Sequence, residues 1–157
     1  MSTDIIKELR FGFIGDHPLA GMGEPWASKM ETTHELLRSK GIGGILTLTE
    51  DDLYGPKHID AGFLHFHEPV NDCEPPTQEG MDRALAFIGQ CLDQGAKVAV
   101  HCFEGRGRTG TILTAWLAKK ESLSAHEAIL RIHELRWHTV LTPSQRQFLS
   151  TYLGDSH

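Results

Sequence analysis

The chain has 157 residues, 39% of them apolar and 23% charged, and a formal net charge of −6. That length suits one domain spanning 1–157, large enough to bury roughly two thirds of its unfolded surface. The acidic balance argues against general nucleic-acid binding, no apolar stretch nears the roughly 18 residues of a membrane span, and MSTDIIKELR lacks a leader's apolar run, so the protein is expected in the cytoplasm as a monomer.

Phe11 to Ile14 and a run near Leu19 predict an opening pair of strands, turned at Asp16 to Pro18. Met30, Leu36 and Leu37 mark a helix over 29–40, stopped by Gly41. The apolar run 42–49 reads as an interior strand, and 63–67 as another. On that second strand Phe63, His65 and His67 share a face by the period of two, expected to be polar and half-exposed. Pro75 and Pro76 make a loop, Thr77 caps a helix to about Gln94 with Met81, Leu85, Ile88 and Leu92 on its inner stripe, and Gly95 ends it. Val98 to Val100 is a buried strand, and Thr109 to Lys120 is helical. Ser124 with Glu127, and Thr142 with Pro143 and Gln145, open two more helices, ending near Leu135 and Gly154. Alternating strands and helices imply an α/β fold, a mostly parallel central sheet covered by helices on both faces.

The chemistry concentrates in HCFEGRGRTG, residues 101–110, between the last strand and a helix. A helix N-terminus presents free N–H groups to whatever the turn encloses, and its field favours both a bound dianion and a thiolate. Cys102 is therefore expected to be largely ionised at neutral pH. Gly105, Gly107 and Gly110 permit positive φ, so the backbone of Phe103, Glu104, Gly105, Arg106, Gly107 and Arg108 can converge on phosphate oxygens as an anion nest. Arg108 offers a planar fork to two of those oxygens. The Thr109 hydroxyl can donate to the sulfur, and His101 would orient the Cys102 backbone instead of acting as a base.

A phosphate trap with a nucleophile also needs an acid above it, on a loop between strand and helix. Asp72, 30 residues ahead of Cys102 and just before the prolines, is best placed, with Glu68 and Glu74 as fallbacks. The charge distribution agrees with an anionic ligand: residues 1–96 carry a net −9 and residues 97–157 a net +3. Arg106 either extends this field toward a substrate with a second phosphate or is a solvated arginine offset by Glu104. Cys73, beside the acid, is by default a loop cysteine, though loop closure could bring it to Cys102 for a protective disulfide.

The run His101, Cys102, five residues, Arg108, Thr109, Gly110 resembles the signature of the protein tyrosine phosphatase superfamily. Together with TLTE at 47–50 and Asp72 ahead of Pro75 and Pro76, the chain is similar to the small atypical dual-specificity phosphatases. The resemblance implies that Cys102 attacks phosphorus, Arg108 binds the phosphoryl group and Asp72 protonates the leaving oxygen. It also makes Glu50 and Gln145 supporting residues, Gln145 by positioning water, although helix capping explains Gln145 equally well. The implied substrate is a phosphorylated protein or another phosphomonoester (phosphoinositide, nucleotide or RNA 5′ end), with no cofactor and no metal.

Rival readings use the same residues. Gly105, Gly107 and Gly110 satisfy a dinucleotide fingerprint, but it comes late in the chain and no acidic residue follows on a second strand. A rhodanese-like sulfurtransferase would carry sulfur on such a cysteine yet needs no Asp72. A phosphate-binding module without catalysis would be expected to lack the cysteine, the arginine or the acid. His65, His67, His101 and Cys102 fit no closed zinc spacing, and the three cysteines no disulfide framework.

Overall fold

The computed structural model describes residues 2–154. It begins with helix α1 (Ser2–Leu9), followed by strands β1 (Gly12–Phe13) and β2 (Leu19–Met22), a 3₁₀ turn (Ala27–Lys29) and α2 (Met30–Ser39). Strand β3 (Ile42–Thr47), helix α3 (Gly55–Asp60), strand β4 (Leu64–His67), helix α4 (Gln78–Asp93) and strand β5 (Lys97–His101) come next. Helices α5 (Gly107–Glu121), α6 (Ala125–Leu135) and α7 (Pro143–Tyr152) complete it. Two helices were not anticipated. α1 buries Ile5 and Leu9, one helical turn apart, and α3 is only six residues long with a glycine and a proline at its start.

The sheet runs β1-β2-β5-β3-β4, parallel throughout except for the β1/β2 hairpin. Its two faces bury separate cores, as strand alternation requires. Val98 and Val100 of β5, with Leu46 of β3, pack under Met81, Ile88, Ile112 and Leu113 of α4 and α5, while Ala99 and Ile45 join Ile5, Leu9, Leu36 and Leu37 of α1 and α2.

Caps match the sequence chemistry. Thr77 accepts from Gly80 N, and complete capping boxes sit at Ser124/Glu127 and Thr142/Gln145, each worth about 1 kcal/mol. α5 begins at Gly107, two residues ahead of the expected start, so the turn itself winds into the helix. β3 ends at Thr47, two residues ahead of the expected end, as the backbone leaves the ladder toward Glu50.

This topology places the site. β5 is central, with Met22 of β2 and Thr47 of β3 in register on either side of His101. The carboxyl ends of three parallel strands therefore meet at Cys102, the crevice where such sheets bind ligands.

Candidate active site

Cys102 leaves β5 and is 3% exposed. Its sulfur receives the Gly105 N–H at 3.2 Å and the Thr109 hydroxyl at 3.1 Å, both groups that stabilise negative charge. Gly105 adopts φ +76°, and a Cβ there would lie 2.5 Å from Met22 C and 2.6 Å from Met22 O and Gly23 N. Positive φ was expected at three glycines of the turn but occurs at Gly105 alone. Gly107 and Gly110 are needed for close approach: a Cβ on Gly107 would meet Gln145 Oε1 at 2.9 Å, and one on Gly110 would meet Thr139 Cγ2 at 2.4 Å.

Arg108 is 4% exposed, and Nη1 donates to Glu50 Oε1 (2.8 Å) and the Val70 carbonyl (2.9 Å), which fixes the plane of the fork. Nη2 lies 3.4 Å from Asp72 Oδ1, whose side chain is 74% exposed. Glu50 also accepts the Asp72 N–H at 3.2 Å, so one carboxylate ties the arginine to the acid loop. These bonds hold the exposed Glu50 carboxyl below the usual carboxylate range, its own backbone N–H contributing most, then Arg108 and the Asp72 N–H.

A cavity of about 230 Å³ gathers Asp72, Cys73, Cys102, Phe103, Glu104, Arg106, Gly107, Arg108 and Gln145, with Val140 and Thr142. Asp72 thus lies at the cavity and the fallbacks do not. Glu68 is buried in a two-pronged pair with Arg83, at 2.8 and 2.9 Å, and Glu74 is exposed. Gln145, fully buried, caps α7 with Oε1 and donates Nε2 to the Glu74 carbonyl at 3.2 Å. Thr142 donates to the Cys73 carbonyl at 3.0 Å, so α7 holds the acid loop at two points. Arg106 lines the cavity while sitting 3.4 Å from Glu104 Oε1 and donating to the His138 carbonyl at 3.3 Å. Cys73, at φ +67°, lines the same cavity as Cys102, and all three cysteines are free thiols.

Behind the cysteine runs a line of buried imidazoles. Of the face expected to be half-exposed, His65 and His67 are half-buried as anticipated and Phe63 is buried, while the His65 side chain itself is turned inward, 5% exposed. The hydrogen-bond order follows from the acceptors. His101 Nδ1 faces the Cys102 carbonyl at 3.2 Å and must carry the proton, so His101 Nε2 accepts from Thr47 Oγ1 at 2.8 Å. Thr47 Oγ1 then accepts from His65 Nε2 at 2.9 Å. His58 stacks edge-on against His101 and shares a 2.8 Å bond with His34. Burial pushes His101 down to about 4 and His58 to about 3, which keeps both neutral.

Sequence reasoning missed several groups of this site: the Val70 carbonyl, Thr47, Arg136 beneath the loop, and Glu24. Glu24 lines an adjoining cleft with Glu50 and Asp51, and burial raises its carboxyl against the pull of Arg108. Only Thr47 carried a signal, as a polar residue ending an apolar strand.

Among the described residues no cluster of His, Cys, Asp or Glu has metal-binding geometry, and no helix is long and apolar enough to cross a membrane. Residues 20–122 match the family described as a polymorphic toxin system, DSP-PTPase phosphatase. The human dual specificity protein phosphatase CDC14C is 28% identical over 92% of this chain, and the Arabidopsis thaliana phosphatidylglycerophosphate phosphatase PTPMT2 is 27% identical over 74%. The chain spans 32% of the human relative and 53% of the Arabidopsis one. The crystal structure of Tk-PTP in its active form superposes with a TM-score of 0.81 at 26% identity, covering 93% of this chain and 97% of that one.

Proposed function

Since the chain belongs to the DSP-PTPase phosphatase family, we propose that it is a metal-independent phosphomonoesterase of the dual-specificity kind, working through a phosphocysteine at Cys102. The observation that carries this reading is one sulfur with two donors on it at 3.2 and 3.1 Å, in a cavity with Arg108 and Asp72.

In the first step the Cys102 thiolate forms a bond to phosphorus while the bond to the alcohol or phenol oxygen breaks. Asp72 gives that oxygen its proton. The phosphoryl dianion takes the Arg108 fork and displaces Asp72 from Nη2; with that pairing gone and the dianion beside it, the Asp72 carboxyl takes up a proton from water and meets the leaving group as the acid. In the second step Asp72 takes a proton from water, the water oxygen bonds to phosphorus and the sulfur leaves as a thiolate, which the Thr109 hydroxyl and Gly105 N–H stabilise. Gln145 holds the acid loop, and its second amide hydrogen is available to the water. His101 orients the Cys102 carbonyl. A thiolate nucleophile suits a reducing compartment, which supports the cytoplasm as the site of action.

The test is hydrolysis of an aryl phosphate by the wild type, Cys102→Ser and Asp72→Asn. Cys102→Ser abolishes turnover, and Asp72→Asn slows it by about 10²- to 10⁴-fold. Near-wild-type rates in both variants, or sulfur transfer from thiosulfate to cyanide outpacing hydrolysis, would overturn the reading.

A second reading, with a phosphate carried by something other than protein, is favoured by Arg106 lining the cavity beside Arg108 and by the Arabidopsis relative's name. Phosphate release from phosphopeptides, inositol lipids and nucleoside triphosphates compared side by side separates the two.

A further inference from the structure

Arg136 follows the last residue of α6, is 2% exposed, and sends its guanidinium under the turn that holds Cys102. Nη1 donates to the Gly105 carbonyl and Nη2 to the Arg10 carbonyl, each at 2.7 Å, while Nε is buried without a hydrogen-bond partner. Room for it is made on β2: a Cβ on Gly21 would lie 2.9 Å from Arg136 Cζ and Nε, and 2.9 Å from the Thr109 methyl. A full charge is a costly way to bridge two carbonyls, because burying it carries a desolvation penalty that a neutral amide would largely avoid. Burial pulls its proton affinity down to about 10, with Arg106 and Arg10 acting in the same direction and the Cys102 sulfur opposing them.

The bond to Gly105 matters because that one residue has two tasks. Its carbonyl is held by Arg136, and its N–H points at Cys102 Sγ. The left-handed backbone between those groups has one setting in which both bonds form. Arg10, also at positive φ, anchors the other end of the guanidinium to the close of α1.

We infer that Arg136 is a positioning residue for the reaction: it locks the Gly105 peptide so that its N–H meets the nucleophile, and it places a fixed positive charge behind the sulfur. This rests on the reading of Cys102 as the nucleophile of a phosphatase. Arg136 touches no substrate and acts through Gly105 and Cys102.

The test compares Arg136→Met and Arg136→Lys with Leu37→Ala, a buried change on α2 that lowers melting temperature without touching the site. Two readouts are followed: the rate at which iodoacetate labels Cys102 near about pH 6, resolved from Cys73 by peptide mass spectrometry, and the acid limb of the kcat/KM profile on an aryl phosphate. Arg136→Met should label at least about tenfold more slowly, with the acid limb about one pH unit higher. Arg136→Lys keeps the charge but reaches one carbonyl, so labelling stays within about threefold while kcat falls about tenfold. Leu37→Ala moves neither readout. Wild-type labelling and an unmoved acid limb in Arg136→Met would overturn the proposal whatever its melting temperature. Should that variant not fold, full kcat in Arg136→Lys overturns it and the expected loss supports it. Labelling needs no substrate, so a wild type inert toward every phosphomonoester would sink the phosphatase reading while the role of Arg136 is still decided.

Discussion

Acidification should destabilise this protein through two buried imidazoles, His58 and His101. Their proton affinities fall from 6.5 to about 3 and about 4, chiefly because burial penalises the charged form. In the unfolded chain each binds a proton as the pH drops through about 6.5, whereas the folded chain refuses it until about 4 or 3. The unfolded state therefore holds more protons in that window. The stabilisation is complete above about pH 6.5 and is lost as pH falls toward the folded values. Between about pH 7 and pH 5 the linkage is worth roughly 2 kcal/mol per ring, and about 3 to 4 kcal/mol for both, since part of the His58 shift is repulsion from His101. His34 and His65 are shifted the same way. The assay is urea unfolding by circular dichroism at the two pH values, for the wild type and for His58→Asn. The amide stands where Nδ1 meets His34, so the contact survives while the titration is gone. The variant is less stable at both pH values, but its loss on acidification should be smaller by about 2 kcal/mol. Equal losses in the two proteins would refute the reasoning.

Three further outcomes are expected. Gly105→Ala forces a Cβ to within 2.6 Å of the Met22 and Gly23 backbone at φ +76°, so it should cost at least about 1–3 kcal/mol in thermal unfolding and remove most of the aryl phosphatase activity. Thr142→Ala removes both the α7 cap and the bond to the Cys73 carbonyl; stability should fall by about 1 kcal/mol, with a drop in kcat larger than the change in KM, measured by steady-state kinetics. Vanadate, which matches the five-coordinate geometry at phosphorus, should inhibit competitively in initial-rate assays, and EDTA should leave those rates unchanged.

Much of the site was legible because it is local. Nucleophile, anion nest, fork and hydroxyl fall within eight consecutive residues, 102–109, and the strand before and helix after them were legible from apolar patterning. The capping boxes at Ser124 and Thr142 were equally plain, since each needs only four residues. Sequence also narrowed the acid to three carboxylates. It could not see that Glu68 is consumed by Arg83, because that pair joins residues 15 apart through the packing of α4 on the end of β4.

What the chain order of residues determined by itself was the reacting unit, because a glycine-rich turn before a helix N-terminus creates its own field and its own conformation. Tertiary structure decided everything that depends on strand order. Placing β5 between β2 and β3 sets Gly23 against the turn, Glu50 against Arg108 and Thr47 between two histidines, and it brings Arg136 from the end of α6 under Gly105. Those contacts join residues from 18 positions apart, Thr47 and His65, to 82, Gly23 and Gly105. No local preference encodes them; they exist because burying the sheet on both faces brings the carboxyl ends of its parallel strands to one crevice on which these side chains converge.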